Sequence, residues 1–182
     1  MKEKNTIIVN LFGGPGAGKS TAAAYIFAYL KMAKVNAELI TEFAKDKTYE
    51  ENSTAFENQA YIFGQQSYRI SRCHGKVDVI ITDAPLLFSV IYNPSPRFTE
   101  NFDKGVIDLF NSYNNRNYFL VRANPYISEG RQQQTAEEAD EVGEKIEKLL
   151  KEKGIEYKKM PGYEDSYKFI IDEILEEIKK NK

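Results

Sequence analysis

Apolar positions along this chain follow two rhythms. Compact β-type runs alternate with stretches whose apolar residues recur every three to four positions. The runs Ile7–Phe12, Val35–Phe43, Val77–Asp83, Tyr118–Arg122 and Ile155–Met160 predict five strands. Between them the helical spacing predicts helices over Lys19–Lys34, Thr54–Lys76 and about Asn101–Asn114. A fourth helix opens at Thr135-Ala136-Glu137-Glu138, shaped like a capping box, and runs to Lys153 with Gly154 as its stop. A fifth covers Asp165–Lys179. Val77–Asp83 is β-branched almost throughout, as expected of a strand buried on both faces. Strands alternating with helices in this way predict an α/β fold with a parallel, doubly wound sheet.

Two stretches break the alternation. Tyr92–Arg97 carries Pro94 and Pro96 and cannot continue a helix. Tyr126–Gln134 is polar, holds Gly130 and Arg131 and lacks periodicity, which reads as a short lid over about residues 124–136. At 182 residues and with no linker-like composition, residues 1–182 read as a single domain.

Between the first strand and first helix stands Gly13-Gly14-Pro15-Gly16-Ala17-Gly18-Lys19-Ser20, then Thr21. This fills G-x-x-x-x-G-K-[ST] in the strand–loop–helix context the motif requires. Glycines let successive backbone N–H groups turn inward and ring an anion at the positive end of the next helix. Gly13, Gly14, Gly16, Ala17, Gly18, Lys19, Ser20 and Thr21 are therefore the expected nucleotide-binding residues. Lys19 supplies charge at the β/γ-phosphates, and the Ser20 hydroxyl reaches Mg²⁺.

In a sheet of this kind ligands gather at the carboxyl ends of the strands. Asp83 ends an apolar strand, the Walker B form, and is expected to hold Mg²⁺ beside Ser20. Glu42 ends the second strand, where a carboxylate can accept an acceptor hydroxyl's proton, and Asp46 is a second candidate for that place. Arg122 at the fourth strand end and Arg131 in the lid are candidates to stabilise the transferring phosphoryl group, although an arginine there can equally pair with Glu137 or Glu138. Gln59, Gln66 and Arg69 recur at helical spacing and are candidates to face the cleft. Tyr163 is a candidate to stack on adenine or simply to pack. His74, the single histidine, reads as a surface or helix-end residue.

Composition removes other classes. The 25 basic and 27 acidic residues nearly cancel, so no global field marks nucleic acid or a membrane surface as partner, and a nucleic-acid end is the less favoured acceptor even if Arg69, Arg72, Lys76 and Arg97 cluster. One cysteine, Cys73, excludes an internal disulfide and a cysteine zinc site. The N-terminal apolar run is too short for a signal core or membrane span, so a cytoplasmic protein is expected. A homodimer is compatible with the chain, whose residues do not set an oligomeric state.

Guanine-binding N-K-x-D and a second-domain arginine finger are absent, and the length is short for an oligomeric AAA+ module. The order phosphate loop, Glu42-Phe43-Ala44-Lys45-Asp46, Phe56 with Gln59, Gln66 with Arg69, then Ile81-Thr82-Asp83-Ala84-Pro85 resembles the family around the bacterial ribosylnicotinamide kinase domain and small phage and bacterial AAA-type P-loop ATPases. That resemblance spans roughly Thr6 to Tyr163. It implies a three-layer P-loop NTPase fold, nucleoside monophosphate kinase-like, with ATP and Mg²⁺ as cofactors. The implied activity is phosphotransfer to a small nucleoside or nucleotide. Ala84-Pro85 replaces the D-T-D of ribosylnicotinamide kinases, which leaves the acceptor open. A kinase acting on DNA or RNA and a nucleotide-dependent switch or partner-regulated ATPase remain alternatives.

Overall fold

The computed structural model describes residues 4–93, 100–127 and 135–180. Five strands, β1 (Ile7–Phe12), β2 (Ala37–Ile40), β3 (Val79–Thr82), β4 (Asn114–Val121) and β5 (Lys158–Pro161), form one sheet in the order β2-β3-β1-β4-β5. All four pairings are parallel. β1 lies at the centre, its six residues buried on both faces, and it delivers the chain to Gly13 at the carboxyl edge.

Alternate side chains of β1 feed two cores. Ile7, Val9 and Leu11 pack with Ala22, Ala23, Ile26 and Leu30 of helix α1 (Lys19–Met32) and Ile170, Ile171 and Ile174 of helix α8 (Glu164–Lys180). Ile8 and Phe12 point the other way. They join Ile70 of helix α4 (Gln59–Ser71), Phe110 of helix α6 (Glu100–Asn111), and Ile146 and Leu150 of helix α7 (Ala136–Glu152). The result is three layers, helices on both faces of a parallel sheet, as the alternating pattern predicts. At about 25 cal/mol per Å² of apolar area, these two cores supply most of the driving force for folding.

Boundaries differ from the sequence expectation where side-chain and backbone bonds overrule periodicity. The expected helix over Thr54–Lys76 is two pieces, α3 (Ser53–Phe56) and α4, because Asn52 and Asn58 each accept a hydrogen bond from the backbone three residues on and start separate helices. β4 begins at Asn114, four residues before the expected Tyr118, since Asn10 of β1 donates to the side chains of Asn115 and Asn117 and extends the ladder over a polar stretch. Two short helices, α2 (Phe43–Tyr49) and α5 (Phe88–Ile91), stand where no helix is expected. The capping box at Thr135 and Glu138 forms as read. Gly154 follows α7 at φ +63°, a left-handed stop that glycine adopts without strain.

Candidate functional site

The loop after β1 is held by backbone packing. Gly13 has φ +138°, and a Cβ there would lie 2.4 Å from the Leu120 carbonyl oxygen, while a Cβ on Gly14 would lie 2.5 Å from the Ala139 carbonyl oxygen. Both positions exclude any side chain. Gly18 caps α1 at φ +86° and brings no side chain to the cap, and a helix start of this kind suits an anion. Lys19 folds over the loop, its Nζ donating to the carbonyls of Gly13 (2.9 Å) and Gly14 (3.0 Å). Ser20 and Thr21, both exposed, face the same cavity of about 430 Å³.

The opposite wall of that cavity begins at Glu42, the N-cap of α2. Its position is set from α4. Gln66, buried, accepts from the Phe43 N–H (3.0 Å) and donates to the Thr41 carbonyl (3.4 Å), bracketing Glu42 on both sides. Arg69 adds a bond to the Thr41 carbonyl, pairs with Asp46 at 3.0 Å and lies 5.0 Å over the Phe43 ring. Burial pushes the Glu42 carboxyl above its ordinary range; the Lys19 charge opposes the rise and the Asp83 charge adds to it. Glu42 and Lys19 line one cavity, and the charges of Lys19 and Asp83 both lie near enough to act on the Glu42 carboxyl. Asp46 is engaged by Arg69 and does not line the cavity.

Asp83 follows β3 directly and is 4% exposed, and its Oδ1 has no hydrogen-bond partner among the described residues. A buried, unsatisfied carboxylate oxygen is costly and calls for a cation or ordered water. An oxygen ligand of this kind with the Ser20 hydroxyl fits Mg²⁺, which keeps several waters and takes few protein ligands. Among the described residues no cluster of three or more His, Cys, Asp or Glu forms a self-sufficient metal cage.

Arg122 turns away from the cleft. Its guanidinium pairs with Asp140 at 2.6 Å, donates to the Ala136 carbonyl and sits 5.4 Å from the Tyr126 ring centroid. The alternative that it pairs with α7 is what the structure has, with Asp140 as partner in place of Glu137 or Glu138. Arg131 and Arg97 lie outside the described residues, as does most of the expected lid. Tyr163 is 47% exposed and does not line the cavity; its neighbour Gly162 packs so closely on the phosphate loop that a Cβ would lie 2.1 Å from the Ala17 carbonyl oxygen. His74 packs against Tyr113 with the rings tilted, their centroids 4.9 Å apart. The Arg72 side chain bonds to the Arg69 carbonyl and the Lys76 side chain to the Arg72 carbonyl, so the basic residues of α4 and its exit are tied down locally.

Gln59 and Gln66 both reach the cavity, as their spacing suggests. Phe88, Ser89 and Tyr92 line it too and are missed by the sequence reading, because an apolar run after a buried strand is indistinguishable from core without its tertiary setting.

A family profile described as "AAA domain" matches residues 8–166. No curated protein matches the sequence. Among solved structures, NadR protein in complex with NR aligns at TM-score 0.68 and 18% identity, covering 94% of this chain and 51% of that one. NadR protein in complex with NAD and AMP-PNP aligns at TM-score 0.64 and 17% identity, covering 94% and 49%. The likeness at this identity is one of fold, the all-parallel five-stranded sheet with flanking helices. The chain spans about half the length of these NadR chains.

Proposed function

The chain belongs to the AAA domain family, and from that premise we propose that it transfers a phosphoryl group from ATP, with Mg²⁺, to a small nucleoside or nucleotide. One observation carries the reading. The phosphate loop and a half-buried carboxylate whose pKa is raised by burial, Glu42, line the same cavity. A protein that only binds nucleotide has no need of a desolvated carboxylate in the same cavity as its phosphates, whereas transfer to a hydroxyl is served by one. The fold shared with NadR structures solved with NR, NAD and AMP-PNP supports nucleotide-type ligands.

In this reading Lys19 leaves the Gly13 and Gly14 carbonyls and moves onto the β/γ-phosphates, while the N–H groups opening α1 hold the phosphate oxygens. Ser20 and Asp83 hold the metal. Mg²⁺–ATP supplies the phosphoryl group and part of the neutralising charge. Glu42 orients the acceptor hydroxyl and takes its proton, a task its raised pKa suits by bringing basicity closer to neutral. Arg122 and Arg131 would stabilise the transferring phosphoryl group, which for Arg122 requires exchange of Asp140 for phosphate.

The test is incubation with γ-labelled ATP and a panel of nucleosides and nucleotides. Label is expected on at least one acceptor, and on none with Lys19→Ala. Hydrolysis to phosphate with every member of the panel left unlabelled would overturn the proposal.

A further inference from the structure

The wall facing the phosphate loop carries two polar side chains that the fold buries and then leaves unused. Gln59, the first residue of α4, and Ser89, in α5, are each 4% exposed and each line the cavity. Neither side chain has a hydrogen-bond partner among the described residues. Gln66, one helical stretch further along α4, shows the contrast, since both ends of its amide are spent on the backbone around Glu42. The polar atoms of Gln59 and Ser89 are not sealed from solvent but open into the cavity, so a ligand that displaces the water there must replace its hydrogen bonds to this amide and hydroxyl or bind more weakly.

The surroundings narrow the ligand. Phe56, Ile62, Phe88 and Tyr92 line the cavity with Gln59 and Ser89, so the polar pair is set among aromatic and aliphatic faces. That setting suits a flat, weakly polar ring with hydrogen-bonding groups confined to its edge. A carboxamide presents one acceptor and two donors in a plane and pairs in bidentate fashion with adjacent donor and acceptor atoms on such an edge. We infer that Gln59, assisted by Ser89, reads the edge of the acceptor's nucleobase and is the specificity-determining residue of the acceptor pocket. The inference rests on the nucleoside-type acceptor proposed above. It adds which residues recognise the base and by what chemistry.

The residue also has the rigidity such a role needs. Asn58 caps α4 by accepting from the Tyr61 N–H, and Gln59 follows it directly, so its backbone is fixed by the helix start. A base held there would be gripped by an oriented amide, which rejects rings lacking the matching edge far better than an apolar pocket can.

Equilibrium binding separates this inference from the phosphotransferase reading, because it needs no turnover. The full chain is titrated calorimetrically with adenosine, guanosine, cytidine, uridine and thymidine, with and without saturating Mg²⁺–AMP-PNP. Each nucleoside is paired with an analogue whose base edge is blocked by N-methylation. Wild type is expected to bind one base best and to bind its blocked analogue at least tenfold more weakly. Gln59→Leu should weaken the preferred nucleoside by about 10- to 100-fold and abolish the discrimination against the blocked analogue, with AMP-PNP affinity within about twofold of wild type. Gln59→Glu, which accepts but cannot donate, should re-rank the panel toward guanosine, whose N1–H and N2–H₂ are adjacent donors. Ser89→Ala should weaken binding by about three- to tenfold.

Failure of wild type to bind any nucleoside, or equal binding of blocked and unblocked bases, overturns the inference even where a variant does not fold. Retention of the wild-type ranking in both Gln59 variants overturns it as well. Binding that depends on Gln59 without phosphoryl transfer would sink the phosphotransferase reading alone, and transfer that ignores Gln59 would sink only the base-reading role.

Discussion

The two walls of the cleft are built by opposite means. The phosphate-loop wall is backbone packed against backbone, with Gly13, Gly14 and Gly162 each within a side chain's width of a carbonyl or chain segment across from it. The facing wall is held by side chains, as Gln66 and Arg69 grip the chain at Thr41, Phe43 and Asp46 and two asparagines start α3 and α4. Backbone geometry restricts which residues can stand at each position, so that wall is written in a fixed local motif. Side-chain clamps can be made by many residue pairs far apart in sequence, so the other wall has no motif. In function the first wall would hold what all ATP-dependent relatives share, and the second what distinguishes one acceptor from another.

Removing the charge on the first wall should have the largest effect. Lys19→Ala is expected to lower phosphoryl transfer by about 10³-fold or more, since the Lys19 ammonium is bonded within the loop itself. Steady-state rates with the labelled acceptor measure it, and a loss below tenfold would dissolve the assignment of that wall to the donor. Glu42→Gln comes next, with kcat reduced by about 10²- to 10⁴-fold and nucleotide affinity within about threefold. Its stability should move the other way. Because the folded pKa of Glu42 is raised, its contribution to stability is present below the ordinary carboxylate value of 4.5 and is lost as pH rises through the folded value. Above that value wild type holds a desolvated charge. The glutamine variant should therefore melt higher at pH 8, and a lower Tm there would contradict the burial that defines the second wall.

The same division explains what could be read from the chain. β1, the loop, α1 and β3 are each dictated by neighbours in sequence, by β-branched runs, glycines and the lysine–hydroxyl pair. The three-layer arrangement follows from their alternation. Glu42 and Asp83 are legible as strand-end acids because the topology sends every such residue to one edge. The engagement of Asp46 by Arg69 and of Arg122 by Asp140 is not, since each depends on residues 18 or more positions apart meeting in space. Nor is the difference between Gln59 and Gln66, identical in type, both on α4 and both in the cavity. Only the packing shows that the Gln66 amide is spent on the backbone while the Gln59 amide has no hydrogen-bond partner among the described residues.

A positioning role is weaker than a catalytic one, and Gln66 gauges how far the second wall depends on its clamps. Gln66→Ala leaves the Phe43 N–H without its acceptor and should cost about 1–3 kcal/mol in denaturant unfolding. Since it frees the segment carrying Glu42, kcat should fall by about tenfold with KM for ATP unchanged. The acid limb of the pH–rate profile should shift to lower pH as Glu42 becomes better solvated. Gln66→Glu keeps an acceptor for the Phe43 N–H but loses the donor to the Thr41 carbonyl and buries a charge, so it should recover only part of the stability. A fall in stability with the pH–rate profile unmoved would make Gln66 a packing residue only.

The smallest effect belongs to the latch beside the phosphate loop. Arg122 and Asp140 form a short pair, yet the Asp140 side chain is 62% exposed, and water and salt screen most of its attraction. Asp140→Asn should therefore change stability by less than about 1 kcal/mol. The Arg122 guanidinium is the more enclosed partner, lying against Tyr126, whose ring in turn occupies the space a Cβ on Gly16 would take. Releasing it from Asp140 leaves a cation next to the loop with no carboxylate in the pair to satisfy it. If Arg122 exchanges Asp140 for phosphate during turnover, Asp140→Asn should tighten ATP binding by about two- to fivefold, the gain shrinking as ionic strength rises and the competing pair in wild type is itself screened. Titration of ATP at low and high salt measures both parts. An ATP affinity unaffected by Asp140→Asn at either salt would confine Arg122 to anchoring α7, and the first wall would then act through Lys19 and its backbone alone.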